Sequence, residues 1–95
     1  MPDEFTLPEA RAVLEAIRSL APDDLRLPLT QADCMTLLDA GIEIKDRDRG
    51  LIDFPTTIDD QLAYWCWMVG ESEIAWWHLR DAGFAGRTPI TPATQ

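Results

Sequence analysis

Five ionisable side chains in the second half of the chain have the types and spacing to do chemistry: Asp53, Glu71, His78, Asp81 and Arg87. His78 is the single histidine. An imidazole beside a carboxylate can act as a general acid and base or hold a metal. Asp81, Glu71 or Asp53 could supply that carboxylate, so His78, Asp81 and Glu71 are the catalytic candidates. A plainer reading has a histidine near a strand end bonding a carboxylate and ordering the loop that follows, and it is the favoured one. One histidine with scattered carboxylates lacks the ligand spacing that identifies zinc, so no metal and no cofactor are expected.

The stretch "DAGFAGR" (residues 81 to 87) is the second candidate. Gly83 and Gly86 permit close backbone approach, so successive N–H groups could form an anion nest with Arg87 as a bidentate fork. Alternatively the glycines form turns, Phe84 plugs the core, and Arg87 pairs with Asp81 or Asp53. With so many carboxylates nearby, the internal ion pair is expected. Tyr64, Trp67 and Trp77 could stack on a ligand ring, although aromatic residues at strand spacing are expected in a core or interface. The ligand-binding candidates are therefore Asp53, Tyr64, Trp67, Trp77, His78 and Arg87. Glu71 and Glu73 at a hairpin tip are expected to be solvated. Asp53 puts a charge inside the apolar "LIDF" and needs a partner such as Arg87 or a backbone amide. Cys34 and Cys66 read as buried reduced thiols. A reactive Cys66 is the lesser alternative, because an apolar setting raises a thiol's pKa.

These residues need elements to hold them. "FTLPEA" has Thr6 as N-cap, Pro8 in the first turn and Glu9 closing a capping box, with Phe5 able to staple against Ala10. Leu7, Ala10, Val13, Leu14, Ile17 and Leu20 then mark one helix face, ended by Pro22. A second helix runs from cap Thr30 to Gly41, a left-handed stop. "IEIK" and "LIDF" flank the polar turn "DRDRG" as a β-hairpin, and Pro55 stops the second strand. "QLAYWCWMV" is a third strand, "GESE" a hairpin loop and "IAWWHL" the fourth strand, with Trp76 and Trp77 on opposite faces. The rest has a glycine or proline every few residues and is expected to be irregular.

The expected fold class is therefore α+β: two N-terminal helices, a four-stranded antiparallel β-meander and an irregular Gly/Pro-rich C-terminal tail. It forms one domain over residues 1–95, helical at about 6–41, sheet at about 42–80, loop and tail at 81–95. Two helices cover one sheet face, yet the third strand is apolar on both. A second copy of the chain is the expected cover.

The residues "GLIDFP", "YWCWMVGESEIAWWH" and "DAGFAGR" resemble a prokaryotic family known as domain of unknown function 2203. The resemblance is good over residues 42–90 and at "FTLPEA". It singles out Gly50, Asp53, Phe54, Pro55, Tyr64, Cys66, Trp67, Gly70, Glu71, Trp77, His78, Asp81, Gly83, Phe84, Gly86 and Arg87. The helical part is shorter than in the family. Asp59, Asp60 and Gln61 stand where members carry an Asp-Gly-Arg-like run, and Leu79 where an acidic residue usually follows the histidine. The resemblance implies no reaction.

With 17 acidic and 8 basic residues the net charge is −9. That repels nucleic-acid phosphates and anionic membranes, so neither is an expected partner. The start lacks a signal-peptide pattern and no apolar run reaches the ~20 residues of a membrane span, which makes a cytoplasmic location the expectation. The leading functional expectation is a small homodimeric interaction or assembly module, with another protein as a further candidate partner, and more a binder than an enzyme. The alternative is an anionic small-molecule binding protein or minor enzyme with a pocket around His78, Asp81 and Arg87. Closed pairing of the five charged groups favours the first, and an open cavity between them the second.

Overall fold

The computed structural model describes residues 4–20 and 24–94. Two helices, α1 (Leu7–Leu20) and α2 (Gln31–Asp39), precede a sheet of five antiparallel strands. These are β1 (Glu43–Asp46), β2 (Leu51–Ile58), β3 (Gln61–Met68), β4 (Trp76–Leu79) and β5 (Thr88–Pro89). Spatial order equals chain order.

Both helix starts follow from local chemistry. Glu9 N–H donates to Thr6 Oγ1 and Thr6 N–H to Glu9 Oε1, closing the first capping box. Thr30 and Asp33 form the same reciprocal pair before α2. Gly41, at φ +87°, follows α2 in the left-handed region. The expected stop at Pro22 lies outside the described residues. Helix α1 buries Leu7, Ala10, Leu14 and Ile17, whereas α2 buries Leu37 alone. These join Ile52, Phe54, Trp65, Trp67 and Ile74 in the core on one face of the sheet. Phe5 meets Phe54 edge-on at 5.5 Å.

Three expectations about the strands are corrected. Pro55 does not stop β2, which continues to Ile58 and pairs Pro55 with Tyr64. In an antiparallel strand a residue's N and C=O point the same way. The Pro55 carbonyl accepts from Phe5 N–H at 2.8 Å, on the side away from β3. Its missing N–H therefore faces the edge beyond the end of β1, where no ladder bond is lost. Second, β4 begins at Trp76 rather than Ile74, and the Ile74 carbonyl is taken by the Arg11 side chain instead of a neighbouring strand. Third, the tail is not wholly irregular: Thr88 and Pro89 pair with Trp77 and Trp76 as a fifth strand, after a 3-10 turn at Phe84–Gly86.

The turn between β2 and β3 sets the register. Asp59 and Asp60 form a two-residue connection, both at positive φ (51° and 63°), so Ile58 faces Gln61. Counting back, Asp53 faces Cys66 and Pro55 faces Tyr64. In β4, His78 faces Tyr64 and Trp76 faces Cys66. Gly50 closes the β1–β2 turn at φ +66°, and a Cβ there would lie 2.4 Å from the Val69 side chain.

Candidate functional site

Period-two alternation sends Asp53, Tyr64, Cys66, Trp76 and His78 to the sheet face away from the helices. Three neighbouring strands thus each deliver one polar group to one point: Asp53 from β2, Cys66 from β3 and His78 from β4. All three are fully enclosed, at 1%, 0% and 2% exposure. One donor atom from each lies within 4.8 Å of the other two.

The bonding within this centre is specific. His78 Nε2 lies 3.0 Å from Asp53 Oδ2, and His78 Nδ1 lies 2.7 Å from the Leu79 carbonyl oxygen. A carbonyl only accepts, so Nδ1 carries a hydrogen and donates it. Nε2 and Oδ2 then share one proton between them. The Asp53 pKa is raised by burial, and the Cys66 thiol, His78 and Lys45 offset only part of the effect. Asp53 Oδ1 is buried without a hydrogen-bond partner among the described residues. Burial, followed by the Asp53 charge, pushes the Cys66 thiol up to about 12. A thiol held that high is protonated at neutral pH and is no nucleophile.

A second layer closes over this centre. Arg87 Nη2 donates to Glu71 Oε1 at 2.7 Å, and that same oxygen accepts from Met68 N–H at 2.7 Å. The Arg87 guanidinium stacks 5.0 Å from the Trp76 ring and 4.8 Å from Phe84. Burial is the largest single influence and lowers its pKa, but Glu71 and Cys66 together outweigh it and raise the pKa. On the other side, the Tyr64 ring lies 5.4 Å from His78, and its hydroxyl is 3.0 Å from both Glu43 carboxylate oxygens. Lys45 bonds Glu43 at 2.8 Å and sits 4.5 Å over the Tyr64 ring.

The sequence candidates divide accordingly. Asp53, Tyr64, His78, Glu71 and Arg87 lie in this centre and its cover. Arg87 pairs with Glu71 rather than with Asp81 or Asp53, and Asp53 takes His78. Asp81 is exposed, and among the described residues it makes no hydrogen bond or ion pair with the others. Trp67 and Trp77 pack toward the helices, on the opposite face. Trp67 Nε1 donates to the Glu71 carbonyl at 3.0 Å. Glu73 is exposed and lies 3.7 Å from Arg11. The N–H groups of Gly86 and Arg87 are spent on the carbonyls of Gly83 and Phe84, so this loop forms no anion nest. Phe84 is 36% exposed, sandwiched between Arg87 and Arg49 rather than plugging the core. Glu43 and Lys45 were missed, and Cys66 was read as a buried thiol without its place beside Asp53 and His78. The signal for Cys66 was the two-residue turn, which sets it opposite Asp53.

None of the five charged groups lines either of two clefts found among the described residues. A cleft of about 600 Å³ opens elsewhere, beside α1, lined by Arg11, Arg18, Asp24, Ser72 and Glu73 among others. Its arginines are occupied: Arg18 bonds Asp24 at 2.6 Å and Arg11 bonds the Ile74 carbonyl at 2.9 Å.

Fold and centre together define a class: a small α+β domain whose antiparallel sheet holds a closed Asp–Cys–His cluster behind an arginine–glutamate cover. Residues 26–90 match a family of uncharacterized conserved proteins, domain of unknown function 2203, and the chain belongs to it. No curated protein and no solved structure matches the chain.

Proposed function

We propose that the protein is a non-catalytic interaction module that assembles with a second copy of itself. The observation that carries this reading is the pairing of the candidate groups: Asp53 with His78, fully enclosed, and Glu71 with Arg87, part-buried in a mutual ion pair. A catalytic pocket needs a reachable nucleophile or base, and here the thiol is protonated and the imidazole is engaged at both nitrogens.

The sheet face that prompted the expectation of a second copy is closed over Asp53, Cys66 and His78 by the chain's own segments, so the contact is assigned to α2. Nine residues long, it buries only Leu37 and leaves Met35 and Leu38 each 58% exposed, three positions apart on one helix face. A symmetric pair would set this stripe against its own copy, adding apolar burial to a domain with a thin core. Asp33, the nearest carboxylate to Met35 in sequence, is turned back into its capping box. Two free cysteines suit the reducing cytoplasm proposed for it, and no helix among the described residues is long and apolar enough to cross a membrane.

Light scattering at micromolar concentration tests the assembly. A dimer is expected, and Met35→Glu with Leu38→Glu should give a monomer whose far-ultraviolet circular dichroism is unchanged. A wild-type chain that stays monomeric at these concentrations removes the reading.

A further inference from the structure

We propose that Asp53, Cys66 and His78 form a site for one divalent, thiophilic cation of the zinc class, which staples β2, β3 and β4 together. The proposal does not depend on self-association.

Donor chemistry comes first. A thiolate, an imidazole nitrogen and a carboxylate oxygen suit zinc and its neighbours, whereas magnesium and calcium take oxygen donors alone. Geometry comes second. Bonds of about 2.0–2.3 Å from a tetrahedral ion put neighbouring donor atoms roughly 3.3–3.6 Å apart. The three donors lie within 4.8 Å of one another, and Nε2 and Oδ2 are 3.0 Å apart, so small side-chain adjustments seat the ion.

Orientation is the third point. A histidine that ligates through one nitrogen characteristically donates the other N–H to a carbonyl or carboxylate, which fixes the ring. His78 already does this through Nδ1 and the Leu79 carbonyl, leaving Nε2 aimed at the cluster. Asp53 Oδ1 supplies an independent indication: a buried carboxylate oxygen without a partner is what a ligand to an ion looks like before the ion is placed. That oxygen completes the coordination.

Charge also closes. Cys66 thiolate, Asp53 carboxylate and neutral His78 sum to −2 and match a divalent ion. The Arg87 charge beside Cys66 is offset by Glu71 at 2.7 Å. On binding, the Cys66 thiol proton and the proton shared by Asp53 and His78 leave to solvent as the metal–ligand bonds form, with no change of oxidation state. Full enclosure leaves no open coordination position for a substrate, which makes the ion a structural staple in a domain too small to have a deep core.

The test uses the full chain, purified metal-free in a non-thiol reductant and titrated with Co²⁺. One equivalent is expected to bind with thiolate-to-cobalt absorption, and Zn²⁺ to displace it. Cys66→Ser and Asp53→Asn should lose both uptake and absorption, while Cys34→Ser keeps them. Wild-type melting gives a readout that needs no variant. Zn²⁺ at about a hundredfold excess over its dissociation constant should raise the midpoint by roughly 10 °C or more, and a chelator should reverse it. Absence of cobalt uptake at micromolar concentration, absorption that survives Cys66→Ser, or a melting midpoint indifferent to Zn²⁺ each overturns the site. The oligomer measurement bears only on the assembly, so the two proposals fail separately.

Discussion

The Cys66 thiol of the metal-free chain stays protonated to about pH 12 when folded, against an ordinary value of 9.0. Its folded pKa is raised, so the proton is held more tightly in the folded chain. The resulting stability is complete below pH 9.0 and is lost as pH rises from there toward 12. The slope is at most about 1.4 kcal/mol per pH unit from this group. Tyr64, also raised by burial and by Glu43, steepens the same alkaline limb. Urea midpoints measured across that range should fall less steeply in Cys66→Ala than in wild type; equal slopes would show that the thiol ionises alike in both states. The sequence made part of this residue-level picture legible. A charge within "LIDF" demanded a partner, and His78 was among the few groups able to provide one. Arg87's choice of Glu71 was not legible, because it depends on how a glycine-rich loop folds back, and alternation carries no information about loops.

Among the elements, the two-residue turn at Asp59–Asp60 does most to organise the centre; aspartate suits its first position, whereas the second ordinarily takes glycine. Both positions have positive φ, where a Cβ approaches the backbone. Asp60→Gly is therefore expected to stabilise the chain by about 0.5–1 kcal/mol, relief of left-handed strain exceeding the entropy of an added glycine. Chemical denaturation measures this, and a loss of stability would mean that the Asp60 side chain supports the turn in some other way. The helices and the β1–β2 hairpin were legible from capping boxes, period-3.6 spacing and alternation. β2 was cut short because proline ordinarily interrupts a ladder, and only tertiary context reveals that Pro55 lies where β1 has ended. β5 was missed because two residues carry no periodicity.

For the whole molecule, charge is the dominant feature. At −9 on 95 residues the folded chain repels itself, and expansion on unfolding relieves that repulsion. Ionic strength near 0.5 M shortens the Debye length to about 4 Å, so sodium chloride should raise the melting midpoint by screening the surplus. Ion pairs such as Arg18–Asp24, at 2.6 Å but partly exposed, lose little by comparison. A midpoint that falls with salt would mean that favourable pairs outweigh the net charge. The chain's ordering of strands was legible at this scale, since short connections join sequential neighbours. The closed cover over Asp53, Cys66 and His78 was not, and it removes the argument that only a second copy could bury that face.

The two-residue strand β5 also bears on solubility. An open meander has two free borders, and a bare border of unpaired N–H and C=O groups invites other chains to extend it into a fibril. One border here is β1, four residues long and bearing Lys45. The other would have been β4, with two tryptophans in succession, had Thr88 and Pro89 not lain along it. Pro89 has no N–H to offer a further strand. The last stretch of the chain thus acts as a selvedge, finishing the fabric of the sheet where it would otherwise unravel into its neighbours.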